Sequence, residues 1–242
     1  MPAELLTEVV SFRDDVFRNI VGIRESQDLY DDLTDYPDDY ALAQAVEGDT
    51  KPILIGSGII DRPFDNGVID YPFDTQNWAQ TRFSDGSFGV FYGSLNLETT
   101  IYETVYHTLQ DLDAANFLAQ GESIIRERRV CLVEVDAILY DCTEKTDDRP
   151  ELIDPHDYSF TNDVGRHIHD NDRDGLITRS ARCDGVNTPI FRSDRLDRPR
   201  DHCFLSYTVD TANEVVLVER TIGQVSYEIP WSEYDLLGQL GD

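Results

Sequence analysis

Apolar residues recur at intervals of three and four positions at the start of the chain. Between residues 4 and 21 this series is Leu5, Val9, Phe12, Val16 and Ile20. Such spacing is typical of an amphipathic helix. A second helix is predicted over residues 40–47, with Gly48 as its C-cap. Residues 1–50 are therefore predicted to be an N-terminal helical extension.

From about Pro52 the pattern changes to short β-branched or aromatic runs bounded by Gly, Asp, Asn and Pro, which predict strands. These runs are residues 53–60, 82–94, 129–142, 174–181, 187–191 and 214–220. Two helices are predicted among them, one from an N-cap at Asn96 to about Leu112 and one over about residues 162–169. Strands outnumber helices and do not alternate regularly with them, so residues 51–242 are predicted to form an α+β domain with mixed or antiparallel sheets.

Composition and charge narrow the class of protein. The chain has 242 residues, 40% of them hydrophobic, which is enough for one sizeable core. There is no apolar run of about 18 residues and no basic start before a compact apolar block, so neither a membrane span nor a cleaved signal peptide is expected. The net charge of −28 argues against a nucleic-acid binder. An acidic surface with only two lysines fits adaptation to high salt, an ordinary acidic protein, or one with a basic partner.

Neither the cysteines nor the acidic and histidine motifs predict a metal site or a disulfide framework. The cysteines are widely spaced and fit buried thiols of the cytoplasm: Cys131, Cys142, Cys183 and Cys203. Asp170, Asp172 and Asp174 copy the start of an EF-hand loop, but Ala181 stands where a bidentate glutamate belongs. His167 and His169 are two apart on a predicted helix and so do not face one site.

Four residue types in two segments suggest chemistry. Arg82, Tyr92 and Glu103 follow one another at offsets of ten and eleven residues, and Ser180 lies between two arginines. Arginine binds phosphate or carboxylate in bidentate fashion. Each residue also has an ordinary interpretation, as a surface ion-pair arginine or a strand-end serine.

The position of Glu103 on its helix leaves two interpretations open. Ile101, Val105 and Leu109 form the predicted core stripe, and Glu103 lies about 200° around the helix from Ile101. Periodicity therefore places Glu103 on the solvated face. Tyr102 and Tyr106 widen the apolar arc, so a Glu103 that faces a cleft also fits.

These segments resemble the RES domain, the toxin of RES–Xre toxin–antitoxin pairs, which has an ADP-ribosyltransferase-like fold. The matching residues are Arg82, the strand that ends at Tyr92, and Glu103 in TTIYETVYH. A third segment, DGLITRSARCDGVNTPIF, contains Ser180 and Asn187. The resemblance spans roughly residues 51–200.

The resemblance implies an enzyme that consumes NAD⁺ as a substrate, with no resident cofactor, and releases nicotinamide. It implies that Glu103 stabilises the oxocarbenium ion, Arg82 holds the diphosphate or the nicotinamide-side ribose, Tyr92 lines the nicotinamide pocket, and Ser180 orients the ribose or Glu103. Asn187 joins them as a substrate-binding candidate. An Xre-type antitoxin is the expected partner. The alternatives are a protein ADP-ribosyltransferase, an NAD⁺ phosphorylase, or a non-enzymatic binding module. A homo-oligomer is compatible with the sequence.

Overall fold

A computed structural model describes residues 2–22 and 64–234. Its first long element is a strand, β1 (Val9–Val21), preceded only by the short helix α1 (Pro2–Leu5). The amphipathic helix predicted over residues 4–21 is therefore wrong. β1 pairs antiparallel along its whole length with β5 (Ser123–Asp141), from Val9 opposite Tyr140 to Val21 opposite Arg128. Its Val, Ile and Phe residues are good strand formers, and a partner strand of this length outweighs the helical spacing.

Some predictions lie outside the described residues. These are the helix over residues 40–47, the strand over residues 53–60, and the boundary between residues 50 and 51. The helical character of residues 23–50 and the division into an extension and a main domain stay predictions.

The strands form one mixed sheet that closes on itself. β1 pairs with β4 (Phe91–Ser94), which pairs with β7 (Val186–Ile190), then with β6 (Gly175–Arg179), then with β5, and β5 returns to β1. The β5–β6 pair is parallel, and the other pairs in this ring are antiparallel. This arrangement confirms the predicted α+β class with a mixed sheet.

The sheet continues as an antiparallel extension along the first part of β5. Three further strands add in chain order: β8 (Leu196–Asp210), β9 (Val215–Thr221) and β10 (Gln224–Pro230). The resemblance in the sequence spans only residues 51–200, yet the strands that follow it continue the sheet. The two-residue strands β2 (Gln80–Thr81) and β3 (Ser84–Asp85) form a separate hairpin.

The helix α3 (Leu97–Ala114) confirms the prediction for this segment. Asn96 caps it, because the Asn96 side chain accepts the backbone N–H of Thr99 at 2.7 Å. The predicted stripe packs with side chains of β5, β8, β9 and β10 in one core cluster. Its members are all buried: Ile101, Val105, Leu109 and Leu112. A short helix, α2 (Phe64–Asp70), precedes the β2–β3 hairpin.

The helix α4 (Ser159–Asp170) confirms the second helix predicted after residue 51, over about residues 162–169. Val164 and Ile168 pack with Phe83 and Leu176 in a second core cluster. α3 and α4 therefore pack into different core clusters.

The residues of the rejected metal motifs have other contacts. Asp174 accepts the backbone N–H of Ile138 at 2.8 Å and pairs with Arg195 at 3.0 Å. His169 stacks on Phe88 with the ring centroids 4.3 Å apart. Within residues 2–22 and 64–234, no group of three His, Cys, Asp or Glu side chains is placed to hold a metal.

Candidate active site

Glu103 lies in the middle of α3 and is held by two side chains from the sheet. Ser180 Oγ donates to Glu103 Oε1 at 2.6 Å, and Asn187 Nδ2 donates to the same oxygen at 2.6 Å. The other carboxylate oxygen, Oε2, accepts no hydrogen bond from the part of the chain that the structure describes. Glu103 is therefore not a fully solvated side chain, and its place in a cleft stays a prediction.

The turn between β6 and β7 brings Ser180 and Asn187 to Glu103. The backbone N–H of Ser180 donates to the carbonyl of Gly185 at 2.8 Å and closes this turn. A Cβ at Gly185 would lie 1.9 Å from Thr99 Oγ1, so only glycine lets the turn approach the first turn of α3 this closely. The sequence signal for this contact is the spacing from Ser180 to Asn187.

Both donors are themselves oriented. The Ser180 hydroxyl accepts the backbone N–H of Arg182 at 3.0 Å, which leaves its proton for Glu103. Asn187 Oδ1 accepts the hydroxyl proton of Ser94, on β4, at 2.7 Å, which fixes the amide so that its NH₂ faces Glu103. Ser94 belongs to this network and was not among the sequence candidates.

Arg82 lies in the turn between β2 and β3 and points towards the same region. Its Nη1 donates to the carbonyl of Asp154 at 2.7 Å, and its guanidinium stacks on the Tyr158 ring, 4.5 Å from the centroid. Burial lowers the pKa of Arg82, and the nearby negative charge of Glu103 opposes that shift. The Asn162 side chain, on α4, donates to the carbonyls of Thr81 and Arg82 and so holds the turn.

Tyr92 lies on β4, and its hydroxyl is bound within the protein. The backbone N–H of Phe83 donates to it at 2.9 Å, and it shares a hydrogen bond with Thr81 Oγ1 at 2.8 Å. Tyr92 therefore supports the segment that carries Arg82. Its hydroxyl is therefore not available to a substrate. The prediction that Tyr92 lines a nicotinamide pocket now concerns its aromatic ring only.

Arg182 is a site residue to which the sequence analysis assigned no role. It is 9% exposed, and its guanidinium lies over the Tyr106 ring, 3.3 Å from the centroid. Its Nη2 donates to the carbonyl of Pro155 at 2.8 Å and to the Tyr158 hydroxyl at 3.1 Å. Its position between Ser180 and Asn187 was visible in the sequence, but Tyr158 and Pro155 carry no signal that links them to it.

The site combines one oriented carboxylate with two arginines. In the described ranges neither Arg82 nor Arg182 forms an ion pair with a carboxylate. Such an arrangement can stabilise a positive charge at Glu103 and bind an anion at the arginines. A neighbouring cleft of about 280 Å³ is lined by Arg182 and by the carboxylates of Glu98, Asp184 and Glu233, and does not include Glu103.

Comparisons with known proteins give the family context. The RES domain model matches residues 60–210, more than half of the chain. Among solved structures, the chain is similar to a chain in the crystal structure of the M. tuberculosis MbcT–MbcA toxin–antitoxin complex, with 13% sequence identity and a TM-score of 0.44. That match covers 80% of this chain and 86% of the other. No curated protein matches the chain. None of the described helices is both long and apolar enough to cross a membrane.

Proposed function

Since the chain belongs to the RES-domain family, we propose that it consumes NAD⁺ by breaking the bond between nicotinamide and ribose. The observation that carries this proposal is the anchoring of Glu103. Ser180 and Asn187 fix one carboxylate oxygen at 2.6 Å each, and the other oxygen is left for a substrate. A carboxylate fixed in this way is suited to a reaction in which positive charge develops nearby.

The proposed reaction shares with glycoside hydrolysis a transition state that resembles an oxocarbenium ion. The C–N bond breaks, its electron pair goes to the nicotinamide nitrogen, and neutral nicotinamide leaves. The ribose carbon then has oxocarbenium character, which the negative charge of Glu103 stabilises. Water adds to that carbon and loses a proton, which gives ADP-ribose. Ser180 and Asn187 keep Glu103 in place, so little reorganisation is needed as the charge forms.

Arg82 and Tyr92 bind the substrate in this proposal. Arg82 holds the diphosphate or the nicotinamide-side ribose, because its buried guanidinium has no carboxylate partner among the described residues. Tyr92 presents its ring to the nicotinamide, since Thr81 and Phe83 already bind its hydroxyl.

We also propose that the protein is a toxin neutralised by an Xre-type antitoxin. Family membership is the support for this role. Expression of the chain in a bacterial host is expected to stop growth as cellular NAD⁺ falls, and co-expression of the partner is expected to restore it.

The first test is NAD⁺ depletion by the purified protein, with Glu103→Gln alongside. The glutamine Oε1 still accepts both hydrogen bonds from Ser180 and Asn187, so the fold is kept while the negative charge is lost. We expect turnover to fall by at least about 100-fold. Asp113→Asn, at an exposed position on the same helix, is the matched control and is expected to keep normal turnover. Normal NAD⁺ consumption by Glu103→Gln contradicts the assignment.

The products identify the acceptor. Free ADP-ribose indicates transfer to water, ADP-ribose phosphate indicates phosphorolysis, and label retained on a polypeptide indicates a protein ADP-ribosyltransferase. A folded protein that does not bind NAD⁺ in calorimetry is a binding module that has lost this chemistry.

A further inference from the structure

Two buried arginines beside Glu103 have hydrogen-bond donors without acceptors. Nη2 of Arg82 and Nε of Arg182 are buried and have no partner in the described part of the chain. A buried donor without an acceptor is destabilising, more so when it carries charge. Neither donor is committed to an acceptor among the described residues, so both arginines can bind an anion that enters this site.

One short segment positions both guanidinium groups. The carbonyls of Asp154 and Pro155 accept from Arg82 and Arg182, respectively, at 2.7 Å and 2.8 Å. Tyr158 contacts both arginines, since its ring lies under Arg82 and its hydroxyl accepts from Arg182 at 3.1 Å. The two like charges are therefore held near each other by the fold itself.

Arg82 and Arg182 form no ion pair with a carboxylate among the described residues, which is unusual because carboxylates are abundant in this chain. The chain has 48 acidic and 20 basic residues, and surface arginines such as Arg129 and Arg198 do form ion pairs with acidic neighbours. Arg82 and Arg182 instead rest on carbonyls and on the faces of Tyr158 and Tyr106. Stacked guanidinium groups keep N–H edges that suit the oxygens of a phosphate.

We propose that Arg182 joins Arg82 in binding the diphosphate of a dinucleotide, and that Arg182 thereby makes the enzyme prefer NAD⁺ to nicotinamide riboside. This inference rests on the proposed function. A diphosphate carries two negative charges, which two arginines match. Tyr106, on which Arg182 stacks, follows Glu103 by three residues, less than one turn of α3. The diphosphate is attached to the same ribose whose bond to nicotinamide breaks, so the two groups belong near each other.

The test measures anion binding apart from turnover. Pyrophosphate and ADP-ribose are titrated into the full-length protein by calorimetry, for the wild type, Arg182→Gln and Arg179→Gln. We expect Arg182→Gln to weaken both affinities about 10- to 100-fold, as for loss of a charged hydrogen-bond donor. Arg179 is the matched control, since it precedes Ser180 but binds the Thr143 carbonyl and Glu144 at the surface. Arg179→Gln is expected to bind like the wild type.

A milder variant covers the case in which Arg182→Gln does not fold. Tyr158→Phe keeps the ring under Arg82 and removes only the hydroxyl that accepts from Arg182. We expect it to weaken pyrophosphate binding in the same direction by a smaller factor. With NAD⁺ as substrate, both variants are expected to raise KM more than they lower kcat. With nicotinamide riboside, which has no diphosphate, both variants are expected to lose less kcat/KM than they lose with NAD⁺.

The outcomes separate this inference from the proposed function. If the wild type consumes NAD⁺ but pyrophosphate neither binds nor competes, the anion site is wrong and the proposed reaction stands. If pyrophosphate binds and depends on Arg182 while NAD⁺ stays intact, the anion site stands and the proposed reaction fails. Unchanged pyrophosphate affinity in Arg182→Gln and Tyr158→Phe overturns the role of Arg182.

Discussion

At the scale of single residues, Tyr92 shows how a hydroxyl that is bound within the protein can position the site. Its hydroxyl binds Thr81 and the backbone N–H of Phe83, the two neighbours of Arg82 in the chain. Burial raises the pKa of Tyr92 to about 12, so the hydroxyl stays protonated at neutral pH. Arg82 is thus fixed from the strand side by Tyr92 and from the helix side by Asn162.

Tyr92→Phe tests this positioning role. The change keeps the ring and leaves the N–H of Phe83 without its acceptor, so we expect the free energy of unfolding to fall by about 1–3 kcal/mol. Urea titration measures the loss, and Tyr71→Phe, at an exposed tyrosine, is the control. Because the hydroxyl fixes the turn that carries the substrate-binding Arg82, KM for NAD⁺ is also expected to rise in Tyr92→Phe. A stability equal to that of the wild type contradicts the role of the hydroxyl.

The sequence predicted part of this site. Arg82, Tyr92, Glu103, Ser180 and Asn187 were all identified by family resemblance, and Glu103, Ser180 and Asn187 do form one hydrogen-bonded group. Helical periodicity alone placed Glu103 on a solvated face. It does so because periodicity describes one helix, whereas the partners of Glu103 come from the β6–β7 turn and from β7, 77 and 84 residues later in the chain. For the same reason Tyr158 and Pro155 gave no signal as partners of Arg182.

At the scale of elements, the close packing of α4 against the β2–β3 turn determines where Arg82 lies. Gly165 makes this possible, because a Cβ there would lie 1.8 Å from the carbonyl oxygen of Phe83. Asn162, on the same face of α4, donates to the carbonyls of Thr81 and Arg82 at 2.8 Å and 2.9 Å. The helix and the turn therefore form one unit.

Gly165→Ala tests this contact. In an exposed helix the change would stabilise the helix by about 1 kcal/mol. Here the methyl group must displace backbone, so we expect the free energy of unfolding to fall by roughly 1–3 kcal/mol and NAD⁺ turnover to fall with it as Arg82 moves. Chemical denaturation and the NAD⁺ assay measure both effects. Asp163→Ala, at an exposed position on the same helix, is the control. A Gly165→Ala variant that is more stable than the wild type and fully active contradicts the role of this contact.

The helices and strands also show which sequence patterns predict secondary structure correctly in this chain. α3 was predicted from its cap and its apolar spacing, and β4, β5, β6, β7 and β9 lie in predicted β-branched or aromatic runs, whereas β8 and β10 were not predicted. β1 was not predicted as a strand either, since its apolar positions follow a spacing of three and four residues. In the structure Val16 is fully buried, and its neighbours alternate irregularly between exposed and partly buried. The long pairing with β5 decides the outcome, and pairing between distant segments is not visible in a local window.

At the scale of the whole molecule, the protein folds despite a net charge of −28. Ion pairs across β1, β5 and β8 offset part of the repulsion. They are Arg13–Glu134, Arg13–Asp136, Arg198–Glu134, Arg200–Asp15 and Arg129–Asp201. Exposed pairs of this kind contribute about 0–1 kcal/mol each. The acidic residues nevertheless outnumber the basic residues by more than two to one, 48 against 20, so repulsion between carboxylates remains.

Added salt is therefore expected to stabilise the protein. Salt weakens the ion pairs and the repulsion together, but repulsion dominates at this net charge. The screening length falls from about 30 Å at 0.01 M to about 8 Å at 0.15 M, so we expect most of the rise in Tm below about 0.3 M NaCl. A thermal melting series measures it, with sucrose as the uncharged control. A rise that appears only near molar salt reflects general exclusion from the surface, and a Tm that falls with salt shows that the ion pairs outweigh the repulsion.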